Sequence, residues 1–165
     1  MGRYRPPQPK SSPYITEAGY KKLDKELKAL WKRRAYVVKI LAAAAAEGDR
    51  SENAEYIYRK KELREIDYRI RYLQKRLPDL KIVNTQPSNP EQIFFAAWVT
   101  LEDESGEEKT YRIVGPDELD AKKGWISMDS PVAKALLKKH IEDEVNVETP
   151  NGVKNYFISN VYYNE

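Results

Sequence analysis

Two stretches of this chain carry the same hydrophobic rhythm, and their registers mirror each other. From Tyr20, apolar residues recur at Leu23, Leu27, Leu30, Val37 and Leu41, with Arg34 in the slot between Leu30 and Val37. From Tyr56 the rhythm returns through Arg59, Leu63, Ile66, Ile70, Leu73, Leu77 and Leu80. Steps that alternate three and four residues mark a single seam along a helix, the heptad pattern. Tyr20 with Leu80, Leu23 with Leu77, Leu27 with Leu73, Leu30 with Ile70 and Val37 with Leu63 all have numbers summing to 100, which predicts an antiparallel helical hairpin folded about residue 50. Arg34 then faces Ile66 and Arg59 faces Leu41, long side chains that keep their stems in the seam and their heads in water. Arms of about 30 residues at about 1.5 Å per residue make a rod roughly 45 Å long. The turn of the hairpin is its most remote point.

A rod with one seam leaves most of its surface in water, which accounts for the charge it carries. Of 165 residues, 33% are charged and the net charge is only +3, but the balance divides at Val83. Residues 1 to 83 hold 21 Lys and Arg against 11 Asp and Glu, and residues 84 to 165 hold 8 against 15. A basic half suited to a polyanion is joined to an acidic half suited to something else. No run of about 18 apolar residues is present to span a bilayer, and the N-terminus lacks the apolar core of a secretory signal, so a cytoplasmic location and no membrane partner are expected. With no cysteine, and His140 as the single histidine, neither a disulfide framework nor a thiolate zinc site is available. Any metal has to be held by oxygen.

The ends of the hairpin set the remaining boundaries. Residues 1–13 contain four prolines and no periodicity and are expected to form a mobile basic tail. Thr16 is the expected cap of the first helix, and residues 14–83 are expected to form the coiled-coil domain. Pro87, Ser88, Asn89 and Pro90 mark a domain join. The pattern then changes to strands, Ile93 to Leu101 with Thr110 to Val114 around Ser105-Gly106, and Val145 to Thr149 with Tyr156 to Val161 around Pro150-Asn151-Gly152. Two β-hairpins are predicted. Between them Ser130 caps a short helix with Pro131 in its first turn, and Val132, Leu136 and Ala135 face inward. The fold class is therefore α+β: a long antiparallel α-helical coiled-coil hairpin followed, over 84–165, by a small, mostly antiparallel sheet domain with one short helix.

The predicted tip, residues 48–56, is Gly48-Asp49-Arg50-Ser51-Glu52-Asn53-Ala54-Glu55-Tyr56. Gly48 suits the left-handed conformation that ends a helix after the alanine run Ala42 to Ala46. Two readings of Asp49 and Glu52 stand side by side. With Ser51 they can cap the second helix, since Asp49 with Glu52 three residues later has the spacing of a capping box. Alternatively, two carboxylates at the far end of a basic rod can be delivered into another molecule's cavity, where they form part of a shared Mg²⁺ site. Just behind the tip, Arg59, Lys60, Lys61 and Arg64 form a basic cluster, continued by Arg69, Arg71, Lys75 and Arg76. A solvated helix face and a phosphate-binding face share that signature.

The segments GDRSENAEY, YRKKELREIDYRIRYL and LKIV, in that order, resemble the Gre transcript-cleavage factors. Farther on, IFFAAWVTLED, YRIVGPDE and ISMDSPVAKALLKK resemble the GreB branch of that family. The resemblance runs from about Thr16 to the C-terminus. It implies a bacterial transcription elongation factor that is associated with the nucleoid through RNA polymerase and enters the polymerase's secondary channel when the enzyme has backtracked. Asp49 and Glu52 then match the acidic pair that acts at the polymerase active site on a shared Mg²⁺, stimulating cleavage of the nascent RNA so that elongation resumes from a new 3′ end. The chain is on this reading no nuclease by itself. Gly48, Arg50, Ser51 and Asn53 match the tip framework, and Arg59, Lys60, Lys61 and Arg64 match the patch that holds the RNA 3′ segment. Glu62 departs from the basic residue expected there and implies a weaker patch. The second domain is expected to be FKBP-like and to dock on the channel rim through Asp129, Ser130 and Pro131, although Ser130 and Pro131 also serve a helix start. A channel-binding regulator without cleavage activity is the alternative. A self-paired seam is compatible with a monomer.

Overall fold

The computed structural model describes residues 10–47 and 53–164, and these divide into two compact units. The first to consider is Ala18–Leu80. It contains most of α1 (Glu17–Ala46) and all of α2 (Ala54–Arg76), which continues into a single 3₁₀ turn at Leu77–Asp79. The helices run antiparallel, because ion pairs join Glu26 to Arg69 near one end and Arg33 to Glu62 nearer the other. The expected seam is the buried one. Leu23, Val37, Ile66, Ile70, Leu73 and Leu77 are buried, and Leu27, Leu30 and Leu63 pack partly buried against Val37, Ile66 and Ile70. Ala44 extends the seam one step beyond Leu41. Arg34 keeps its head at the surface, with Nε 2.7 Å from the Asp67 carboxylate. Pro78 removes a backbone donor, and its neighbours tighten from α to 3₁₀.

The second unit comprises the described residues up to Glu17 and from Lys81 onward. Two short parallel strands, β1 (Tyr14–Ile15) and β2 (Lys81–Ile82), lie side by side in it. The Lys81 amide donates to the Pro13 carbonyl (2.7 Å) and the Val83 amide to the Ile15 carbonyl (2.9 Å). Ser12 and Pro13, assigned to the tail by sequence, are thus hydrogen-bonded into this unit. A five-stranded sheet follows, built from β3 (Trp98–Glu102), β4 (Glu108–Val114), β5 (Trp125–Ser127), β6 (Glu144–Thr149) and β7 (Gly152–Tyr162) in the order β5-β4-β3-β7-β6. Both predicted hairpins are present as antiparallel pairs, β3 with β4 and β6 with β7. β5, paired parallel to β4, has no counterpart in the sequence reading.

The first predicted strand starts too early. Ile93 to Ala97 form a turn instead, with the Ala97 amide on the Phe94 carbonyl and Ala96 at φ 71°, outside the extended region. Ile93 is nevertheless fully buried, held by backbone bonds to Lys138 and Lys139. In the β3–β4 turn the Asp103 carboxylate accepts from the amides of Ser105 and Glu107, and Gly106 takes φ +83°. One face of the sheet packs α3 (Pro131–Leu136) over Val99, Leu101, Ile113, Val145, Val147 and Ile158. Ala133 and Leu136 are the buried residues of that helix, and Val132 and Ala135 pack partly buried beside them. On neighbouring strands Arg112 lies over both Trp98 and Trp125, with its guanidinium 5.4 and 5.2 Å from their ring centres. Trp98 stacks in turn on Tyr162.

Candidate functional site

The start of α2 is fixed by Asn53. Its backbone is extended, its side-chain oxygen accepts from the Tyr56 amide (3.1 Å), and its side-chain nitrogen donates to the Ala44 carbonyl (2.9 Å). One amide group therefore satisfies a free donor at the start of one helix and bonds a carbonyl in the last turn of the other. The cap that sequence spacing assigned to Asp49 or Ser51 belongs to Asn53, because α2 begins at Ala54. Gly48, Asp49, Arg50, Ser51 and Glu52 lie outside the described residues. The residues on either side of them, Ala44 and Asn53, are tied together by the bond from the Asn53 side-chain nitrogen to the Ala44 carbonyl.

Behind this point the basic cluster separates into two kinds of residue. Arg59 is engaged by carboxylates: Nε is 2.9 Å from Glu55 and Nη1 is 2.8 Å from Glu62. Glu62 also receives Arg33 Nε from the facing helix at 2.8 Å. Hydrogen bonds from Glu55 and then Glu62 hold the Arg59 guanidinium above its ordinary value. Arg33, and after it Arg59, holds the Glu62 carboxyl below its ordinary value against the opposing effect of burial. Arg59 also lies over the Tyr58 ring, and Lys60 lies 5.7 Å from the centre of the Tyr56 ring. Lys61 and Arg64 are exposed, and among the described residues no carboxylate pairs with either. Of the four cluster residues, then, Arg59 braces the hairpin, while Lys60, Lys61 and Arg64 present charge to solvent.

In the sheet unit, Ser130 Oγ accepts from the Ala133 amide (3.2 Å) and Pro131 occupies the first turn of α3, the helix-start role for both. The Asp129 carboxylate accepts from the amide and the hydroxyl of Ser12. A second carboxylate with the same kind of duty was not singled out by sequence. Glu118 accepts from the amide (2.8 Å) and hydroxyl of Thr16 and from the Gly115 amide (3.2 Å). Gly115 and Glu118 both lie in the segment YRIVGPDE.

Two family descriptions cover nearly all of this architecture. "Transcription elongation factor, N-terminal" matches residues 13–82, the helical hairpin, and "Transcription elongation factor, GreA/GreB, C-term" matches residues 87–163, the sheet domain. The chain belongs to the GreA/GreB family. Within it, the transcription elongation factor GreB of Pseudomonas aeruginosa is 54% identical, over 99% of this chain and 98% of the relative. GreB of Xanthomonas axonopodis pv. citri is 56% identical over the same shares. The crystal structure of GreA factor homolog 1 of Thermus thermophilus is 28% identical, covers 90% of this chain and 97% of that one, and has a TM-score of 0.41. This GreA/GreB chain is thus a transcription elongation factor of the GreB kind by sequence along its whole length.

Proposed function

We propose that this factor inserts its helical hairpin into the secondary channel of a backtracked RNA polymerase and stimulates endonucleolytic cleavage of the extruded RNA. The observation that carries the reading is the Asn53 cap: it takes over the structural duty that was the competing explanation of Asp49 and Glu52. Two carboxylates three positions apart in sequence, at a helical hairpin's turn, suit Mg²⁺, which prefers oxygen donors and retains room for water and phosphate. Alone they would be an incomplete set of ligands, which the polymerase and the RNA phosphate would complete. When bound, the ion supplies Lewis-acid polarisation of the phosphodiester. Asp49 would help hold it, and Glu52 would help position or activate the attacking water. Lys60, Lys61 and Arg64 hold the RNA backbone. The family kinship and the exposed charge behind the tip support this assignment, and on the same proposal the acidic second domain docks on the channel rim by Asp129, Ser130 and Pro131.

The chain has no cysteine, so a Ser51→Cys substitution gives a single attachment point for a photocrosslinker. In a backtracked complex it is expected to crosslink to the RNA 3′ segment. Crosslinks confined to the polymerase exterior would remove channel insertion from the account.

A further inference from the structure

The hairpin unit has an open groove of about 720 Å³ farther along its shaft, lined from α1 by Trp31 and from α2 by Arg64, Tyr68, Ile70 and Arg71. Tyr68 is 71% exposed and Trp31 is 46% exposed, although the seam beside them is well filled. The one carboxylate in the groove, Asp67, is bonded to Arg34. Arg64 and Arg71 are exposed and have no carboxylate partner among the described residues. At helical spacing, Lys61, Arg64, Tyr68, Arg71 and Lys75 share one face of α2. That stripe contains no acid and runs from the basic cluster into the groove.

We propose that this groove is a base-binding subsite for single-stranded RNA, in which an unpaired nucleobase stacks between Trp31 and Tyr68 while Arg64 and Arg71 hold the flanking phosphates. Flat aromatic surface set among unpaired guanidinium groups matches a chain that alternates flat bases with anionic phosphates, and the stacking is tolerant of sequence because every base has a π-face. Phosphate contacts alone need no aromatic residues. Tyr68 lies 15 residues beyond Asn53, roughly 22 Å along the helix at about 1.5 Å per residue, so the subsite is distinct from the tip. It deepens the function proposed above and rests on that reading for its biological setting, but its binding chemistry can be measured without polymerase.

The test is fluorescence anisotropy of the intact protein with a short labelled oligoadenylate and with an abasic ribose-phosphate oligomer of the same length. Helix content of each variant is checked by circular dichroism. Trp31→Ala and Tyr68→Ala are expected to weaken oligoadenylate binding about tenfold each and to leave the abasic oligomer unaffected. Arg64→Ala and Arg71→Ala are expected to weaken both ligands and to lower the salt slope by about one. Absence of oligoadenylate binding by the native chain, native affinity in both aromatic variants, or equal losses for the two ligands would overturn the proposal. If the aromatic variants bind RNA normally but bind polymerase poorly, the groove faces protein instead. Cleavage stimulation dependent on Asp49 would survive any of these results, so the two readings fail separately.

Discussion

The Asn53 side-chain nitrogen donates to the Ala44 carbonyl across the turn of the hairpin, 2.9 Å away, while the oxygen of the same amide caps α2. The eight residues between these two positions include both candidate carboxylates. A carboxylate pair that must meet a metal shared with another enzyme gains from having its flanks fixed before the encounter, because misplacement costs rate even when binding persists.

Asn53→Ala removes the cap and the cross-turn bond and should lower hairpin stability by about 1 kcal/mol or more. Asn53→Asp retains the cap acceptor and loses only the donor to Ala44. Urea unfolding should place the Asp variant between native and Ala. Single-turnover RNA cleavage should be slowed in both variants if the cross-turn bond positions the tip, and only in the Ala variant if the cap alone matters.

Glu62 is the counter-charge of Arg33 and Arg59, which hold its carboxyl below the ordinary value. A carboxyl with a depressed folded value contributes stability above its unfolded value and loses it as pH falls through the folded one. Acidification below the usual carboxylate range should therefore weaken the hairpin, and Glu62→Gln should flatten that part of the profile in thermal melts across pH. The same substitution releases Arg59 and Arg33, so RNA binding at neutral pH should tighten and become more dependent on salt. An unchanged salt slope would show that Arg59 stays committed to Glu55.

Gly115 has a different kind of demand. A Cβ there would lie 2.0 Å from the Tyr14 carbonyl oxygen, a backbone atom that cannot rotate aside. Gly115→Ala should cost about 1–3 kcal/mol, the usual range for forced overpacking. Calorimetry should show the loss, and Glu118→Gln, which weakens the bonds to Thr16 and Gly115 without adding volume, should show a smaller one.

The seam was legible because period is a property of sequence: Leu23, Val37, Ile66, Ile70 and Leu73 are spaced for one helical face and are buried on it. Both β-hairpins were legible from their turn residues, Gly106 and Gly152, each with positive φ. Strands β1, β2 and β5 were not, since two or three residues show no alternation, and the partners β1 and β2 are far apart in the chain. The strand expected from Ile93 failed at Ala96, whose backbone conformation is set by contacts with β4 and not by its own propensity. At the candidate site, the basic cluster was visible but its division was not. Glu55 and Glu62 stand at helical spacing from Arg59 on the same helix, but a heptad slot does not reveal that Glu62 is shared with Arg33 of the facing helix. The cap was misplaced because Asp49 and Glu52 have the spacing of a capping box, and Asn53 carries no such signal.

The most direct test follows shortening of labelled RNA from its 3′ end in a backtracked polymerase complex with Mg²⁺, comparing the native chain with its Asp49→Asn variant. Rapid cleavage by the native chain and a loss of about a hundredfold or more in the variant, with both proteins still competing for the same polymerase site, is the predicted result. Cleavage by the variant at the native rate, or binding of the native chain without any stimulation, would contradict the account; the second outcome would leave a regulator that occupies the channel.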